Sequence, residues 1–146
     1  CEDFDVFPII FSAYQTVNHK REKIYHTNVM MCIGTTFAVV CLNAIDDKKE
    51  RKNVIAHLKK SNKEIIDITE QQVNQFAGNM LQLLGENDTP YLIMSQSAFD
   101  ALHPNQRLKL EKHTKIISSA LQTIEACGGG SARCMMAEIF LPKVLN

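Results

Sequence analysis

A thiol that follows a run of glycines is the first group in this sequence that could do chemistry. Cys134 lies four residues after Gly130, the last of three consecutive glycines, and directly after Arg133. The thiolate is the reactive form of cysteine, and a neighbouring positive charge favours it. Consecutive glycines permit positive φ or a close approach of the main chain to another group. Cys134 is therefore a candidate nucleophile, although a tight turn followed by a small buried cysteine explains the same pattern.

A phosphate-binding loop is a weaker interpretation of the same glycines. The Gly-Lys-Ser/Thr ending of a P-loop is missing after Gly130. The glycines also join a predicted helix to a predicted strand, whereas a P-loop joins a strand to a helix.

One of the five histidines lies in apolar surroundings and could act with the thiol. His26 follows Ile24 and Tyr25 and precedes Val29 and two methionines, within a predicted strand over residues 24–33. An imidazole near a thiol can serve as general acid and base. A single histidine in a strand can equally be a core residue, and sequence spacing does not bring it close to Cys134. The other four histidines lie in polar or helix-surface contexts.

Composition indicates one globular domain. The 146 residues are 45% hydrophobic and 22% charged, and 16 Lys and Arg balance 16 Asp and Glu. No basic stripe in the sequence suggests binding to nucleic acid, and no polybasic amphipathic helix suggests binding to a membrane surface. The longest apolar run, 37–42, is far too short to span a membrane. Five cysteines without a CxxC pair argue against a disulfide framework and a zinc ribbon, so we expect a cytoplasmic protein. We also expect the protein to use no metal or cofactor.

Alternating segments predict the α/β class. The predicted strands are 8–14, 24–33, 37–42, 64–68, 79–84, 91–95 and 134–141, and the predicted helices are 47–60, 69–78, 97–102 and 104–123. The run at 37–42 is apolar on both faces and is expected at the centre of a sheet. The order strand, strand, helix, strand occurs about twice, over residues 24–68 and 79–127, so the chain contains a structural repeat.

Three motifs carry a resemblance to a known family. They are the stretch from Ile24 to Met31 (IYHTNVMM), the stretch from Phe76 to Leu81 (FAGNML) and the stretch from Gly128 to Met135 (GGGSARCM). Together they resemble the arginine deiminase-related, amidinotransferase-like family of the guanidino-group-modifying, or pentein, superfamily, and within it the citrulline-utilisation hydrolases. The resemblance implies an α/β propeller of five ββαβ units. Residues 1–146 would form roughly its C-terminal half, and because the chain starts at Cys1, we expect it to be the second part of a longer protein.

The resemblance also implies a reaction and a set of site residues. Cys134 would be the nucleophile and His26 the general acid and base in hydrolysis of a C–N bond in a guanidino or ureido group. The substrate would be a small arginine-like or citrulline-like molecule. The substrate-binding positions implied are Asn28, Asn79, Gly130 and Arg133.

Two departures from the family pattern qualify this expectation. Many relatives have Asp where this chain has Asn28, and a neutral amide suits a ureido group better than a guanidinium cation. The family also carries a catalytic carboxylate in a Glu-Gly-rich motif that this sequence lacks. We expect a missing N-terminal half or a second chain to supply it. The alternatives are an inactive half-propeller that binds or assembles with a partner, including a second copy of the chain, and an amidinotransferase.

Overall fold

The computed structural model describes residues 8–138. An antiparallel hairpin of β1 (Ala13–Val17) and β2 (Lys20–Ile24) comes first. Its two turn residues, Asn18 and His19, both have positive φ, as a tight two-residue hairpin turn requires. The first strand was predicted at 8–14 and the stretch 17–23 as a hairpin-like connection. The hairpin is present, but its first strand begins at Ala13, because the turn at Asn18 and His19 sets the register and Ala13 pairs with Ile24, the last residue of β2.

Two three-stranded sheets follow, and each is built as a ββαβ unit. The first contains β3 (Met31–Ile33), β4 (Phe37–Val40), α1 (Lys48–Lys60) and β5 (Glu64–Asp67). The second contains β6 (Leu81–Leu84), β7 (Pro90–Ser95), α3 (Gln96–Ala101), α4 (Pro104–Glu111) and β8 (Lys115–Ser119). In both sheets the first two strands are antiparallel and the third is parallel to the middle one. The predicted α/β class and the predicted repeat of element order are thus confirmed.

Two of the helices begin at residues whose side chains accept hydrogen bonds from the first backbone N–H groups of the helix. The Asp47 carboxylate accepts hydrogen bonds from the Lys49 and Glu50 amides at the start of α1. Thr69 and Gln72 form the predicted capping box at the start of α2 (Glu70–Val73). These local signals were readable from the sequence because each involves residues within one turn.

The long helix predicted over 104–123 is wrong. α4 ends at Glu111, and Ile116 and Ile117, which were assigned to its inner face, lie in β8. There Ile117 pairs with Ile93 of β7. Two adjacent β-branched residues fit a pleated strand better than a helix, and the parallel edge of β7 supplies the hydrogen bonds. A separate helix, α5 (Gln122–Gly128), then leads to the glycines.

The core lies between the sheets and their helices. All four residues of β4 are fully buried, which confirms that 37–40 forms a central strand. Side-chain hydrogen bonds join the two units: Gln82 accepts from the Thr35 amide, and His113 bridges Thr36 and Glu64. None of the helices within residues 8–138 is long and apolar enough to cross a membrane.

Candidate active site

The segment that carries His26 is a turn and not the predicted strand. β2 ends at Ile24, and a short 3-10 turn covers Thr27–Val29 before β3 begins. The turn packs against Gly78, where an added Cβ would lie 2.8 Å from the Val29 carbonyl carbon. This long-range contact holds residues 27–29 in a turn, so the 24–33 strand prediction is wrong there, whereas residues 31–33 do form a strand, β3. As a result, His26 and Asn28 lie beside each other on a loop, with His26 exposed and Asn28 half-buried.

The segment that carries Cys134 is also a turn. Cys134 lies in a 3-10 turn over Ala132–Met135, and residues 136–138 form no strand, so that part of the predicted strand 134–141 is wrong. Residues 139–141 lie outside the described part of the chain. Gly129 ends α5 in the left-handed conformation, with φ of 65°. A Cβ on Gly130 would lie 3.2 Å from Cys134 Sγ, so glycine permits a close approach of the main chain to the thiol.

A cavity of about 570 Å³ brings these two segments together. Cys134, His26, Asn28 and Asn79 all line it. Cys134 is exposed, which excludes the alternative of a small buried hydrophobic residue. The remaining lining residues are Gln15, Val29, Val73, Asn74, Phe76 and Gly129. Gly130 and Arg133, which were predicted to bind substrate, are not among the residues that line this cavity.

Asn79 connects the two segments through its side-chain amide. Its Nδ2 donates to Cys134 Sγ at 3.2 Å and to the Asn28 carbonyl oxygen at 3.4 Å. Its Oδ1 accepts the backbone N–H of Arg133 at 3.1 Å. Asn79 itself is only 5% exposed, so this amide is held within the protein. The predicted pocket position therefore contacts the candidate nucleophile directly.

Glu125 holds the glycine-rich turn in place through hydrogen bonds from serine hydroxyls, and the sequence did not indicate this role. Its buried carboxylate accepts hydrogen bonds from the hydroxyls of Ser131 at 2.6 Å and Ser97 at 2.7 Å. The Ser131 carbonyl oxygen in turn accepts the backbone N–H of Cys134. Burial raises the pKa of Glu125, but the hydroxyls of Ser131, Ser95 and Ser97 outweigh it and hold the pKa below its ordinary value. No periodic pattern links these positions, so only the folded chain reveals them.

The other cysteines differ from Cys134 in their surroundings. Burial raises the pKa of Cys32 to about 12, despite the favourable charge of Arg133, and burial also raises the pKa of Cys41. Both thiols are therefore poor nucleophiles at neutral pH. Cys127 is exposed on α5 but does not line the cavity.

The lining of the cavity combines apolar side chains with amides and is almost uncharged. Gln15, Asn28, Asn74 and Asn79 supply four amide side chains, and none of the lining residues in the described range is Asp or Glu. Phe76 adds an aromatic wall from a left-handed backbone conformation, with φ of 62°, which is costly for a bulky residue. Residues 8–138 contain no group of three or more His, Cys, Asp or Glu side chains that could hold a metal ion. The arrangement offers a thiol, an imidazole and hydrogen-bonding amides around one cavity.

Two solved structures share this fold. Apo ArgZ, described as an arginine dihydrolase from the ornithine-ammonia cycle in cyanobacteria, is 18% identical over 82% of this chain, with a TM-score of 0.57. The N-terminal domain of ArgZ bound to product is 20% identical over 75% of this chain, with a TM-score of 0.54. The chain spans only 18% of the first protein and 36% of the second. No protein with a curated description matches the chain.

The model of one protein family covers nearly the whole sequence. The description of this family is eukaryotic N,N dimethylarginine dimethylhydrolase, and its model matches residues 1–141. The family differs from the citrulline-utilisation branch that the motifs favoured, although both names denote hydrolases of guanidino- or ureido-type groups. Because the match extends over far more than half of the 146 residues, this chain belongs to the eukaryotic N,N dimethylarginine dimethylhydrolase family.

Proposed function

We propose that this chain belongs to an enzyme that hydrolyses a C–N bond of a guanidino or ureido group through a covalent cysteine intermediate. One observation carries the proposal: Cys134 and His26, which lie far apart in the sequence, line the same cavity. A thiol and an imidazole in one cavity are the minimum set for nucleophilic attack with general acid and base catalysis. Membership of a hydrolase family supports the same reaction class.

The reaction has two balanced steps. The Cys134 thiolate attacks the central carbon of the guanidino group, and the C–N bond breaks as the leaving amine takes a proton from the His26 imidazolium. Water then gives a proton to the neutral imidazole and attacks the same carbon. The C–S bond breaks, which restores the thiolate and leaves a ureido product. One amine is released and one water is consumed in each turnover.

Methylated arginine is the substrate class that the family name supports. From N,N-dimethylarginine the leaving group would be dimethylamine and the product would be citrulline. Asn28 supports a neutral ureido substrate instead, because an amide does not neutralise a guanidinium. Citrulline would then lose ammonia by the same attack and hydrolysis, and the product released from the thiol would be a carbamate instead of a ureido group.

We further propose that residues 1–146 are the C-terminal part of a single pentein domain. The chain spans only a fraction of the solved structures that share its fold. The described lining of the cavity contains no carboxylate that could balance a guanidinium charge. A preceding segment or a second chain would supply this carboxylate and the rest of the propeller, and its loss would cost several orders of magnitude in rate.

The absence of a lining carboxylate within residues 8–138 also favours a second candidate function. A half-propeller that binds a partner but does not catalyse would need no such group. This alternative predicts that the isolated chain binds arginine-like molecules weakly or not at all and releases no amine. Transfer of the amidino group to another amine would use the same first step and differs only in the acceptor.

The test uses the 146-residue chain at high concentration and over long incubations, because the proposal expects a rate several orders of magnitude below that of a complete domain. The substrates are arginine, N,N-dimethylarginine and citrulline. Each substrate is tested separately, and the assay measures ammonia from arginine or citrulline and dimethylamine from N,N-dimethylarginine. Cys134→Ala should abolish release, whereas Cys127→Ala, which removes an exposed thiol outside the cavity, should leave it unchanged. His26→Ala should slow turnover strongly. Amine release that survives Cys134→Ala would reject the covalent mechanism.

A further inference from the structure

Among the described residues, only Asn79 has a side chain that forms hydrogen bonds both to the turn after His26 and to the turn that holds Cys134. Through one amide it reaches the Cys134 sulfur, the Arg133 backbone N–H and the Asn28 carbonyl oxygen. Asn28 lies in the turn that follows His26, and Arg133 lies in the turn that holds Cys134. Displacing this amide would therefore disturb the nucleophile and the proton donor together.

The partners of the amide determine which of its atoms faces the sulfur. A backbone N–H can only donate, so Arg133 must face Oδ1, and a carbonyl oxygen can only accept, so Asn28 must face Nδ2. The two contacts agree on one orientation, in which Nδ2 can donate one hydrogen to the Asn28 carbonyl oxygen and the other to Cys134 Sγ. The protonated thiol can instead donate to Oδ1, which lies 3.6 Å from the sulfur. Asn79 can therefore keep a contact with the sulfur in both protonation states.

We infer that Asn79 acts on the nucleophile, by donating a hydrogen bond to the Cys134 thiolate and by holding the thiolate in register with His26. The role of Asn79 in catalysis rests on the proposed function, whereas its effect on the reactivity of the Cys134 thiol does not. Hydrogen bonds to charged groups are stronger than those between neutral groups. An acceptor-only side chain at position 79 should therefore make attack by the sulfur slower.

The diagnostic variant is Asn79→Asp, which keeps the size and the acceptor for the Arg133 amide. Its carboxylate cannot donate to the sulfur and repels the thiolate. Alkylation of Cys134 by iodoacetamide at neutral pH should slow at least tenfold, or about 1.4 kcal/mol in activation free energy. Alkylation of Cys127, followed in the same molecule by mass spectrometry, is the internal reference and should not change. Asn53→Asp, on the exposed face of α1, adds the same charge elsewhere and should not slow Cys134.

The outcomes separate this inference from the proposed function. Unchanged alkylation of Cys134 in Asn79→Asp would overturn the inference, even if the wild-type chain hydrolyses its substrate. Slower alkylation in a chain that releases no amine would support the inference and reject the hydrolase activity of the isolated chain. Where both hold, Asn79→Asp should lower kcat more than it raises KM, because the contact is to the nucleophile and not to the substrate.

A second measurement applies if the variant does not fold. In the wild-type chain the Arg133 N–H has the Asn79 Oδ1 as its acceptor, so hydrogen exchange at this amide should be at least tenfold slower than in an unstructured peptide. Exchange at the unprotected rate would overturn the inference without any substitution.

Discussion

Replacing Gly78 by alanine is expected to destabilise the fold and displace the turn that carries His26. An added Cβ would lie 2.8 Å from the Val29 carbonyl carbon and 2.9 Å from the Met30 carbonyl carbon, and closer still to the Val29 oxygen. All three are backbone atoms, so no side-chain rotation can relieve the overlap. The turn or the segment around Gly78 must move by a sizeable fraction of an ångström.

The size of the effect follows from two opposing contributions. Overpacking a tightly packed site costs roughly 3 kcal/mol when the neighbours cannot yield. Exchange of glycine for alanine restricts the unfolded chain and returns about 0.7 kcal/mol. The free energy of unfolding should therefore fall by about 2 kcal/mol. For a chain of this size that corresponds to a fall in Tm of roughly 6 °C.

Gly128→Ala is the matched control, because the same methyl group is added where there is room. Nothing lies within 4 Å of a Cβ at Gly128, the last residue of α5, and its φ is not positive. This variant should gain about 0.7 kcal/mol in stability. Urea unfolding followed by circular dichroism compares the two variants with the wild type. A Gly78→Ala chain within 0.5 kcal/mol of Gly128→Ala would refute the close contact of the turn with Gly78.

Two further predictions concern pH and thiol reactivity. The His113 imidazole, by donating to the Glu64 carboxylate, holds the pKa of Glu64 below the ordinary value of 4.5, and the serine hydroxyls lower the pKa of Glu125 as well. The folded pKa is below the unfolded one, so this stability is present above pH 4.5 and is lost as pH falls through the folded values. Urea midpoints should therefore drop as the pH is lowered below 4.5, less steeply in Glu64→Gln, and a flat profile would contradict the assignment. Cys32, with a pKa of about 12, should remain unlabelled by iodoacetamide at neutral pH until the chain is unfolded. Labelling of native Cys32 at the rate of the exposed Cys127 would show that the β3 core opens readily.

Local patterns located several of the helix starts and the central strand. The capping groups Asp47 and Thr69 act within a single helical turn, so their sequence positions were enough to locate the helix starts. The apolar run of β4 also indicated a central strand, because a strand that is buried on both faces has a continuous hydrophobic pattern. The failures came where a distant partner decides the backbone, as at Ile117, which pairs with β7.

The chemical candidates themselves, Cys134 and His26, could be recognised from residue type and motif. Their convergence could not, because it depends on turns that form through long-range packing. Because Gly78 has no side chain, the turn after His26 can pack directly against its backbone. The next residue, Asn79, joins this turn to the one that holds Cys134 through its side-chain amide. Residue types thus indicated which groups can react, whereas the long-range contacts of Gly78 and Asn79 with the two turns decided that these groups face one cavity. Side-chain hydrogen bonds between segments far apart in the chain leave no periodic pattern in the sequence.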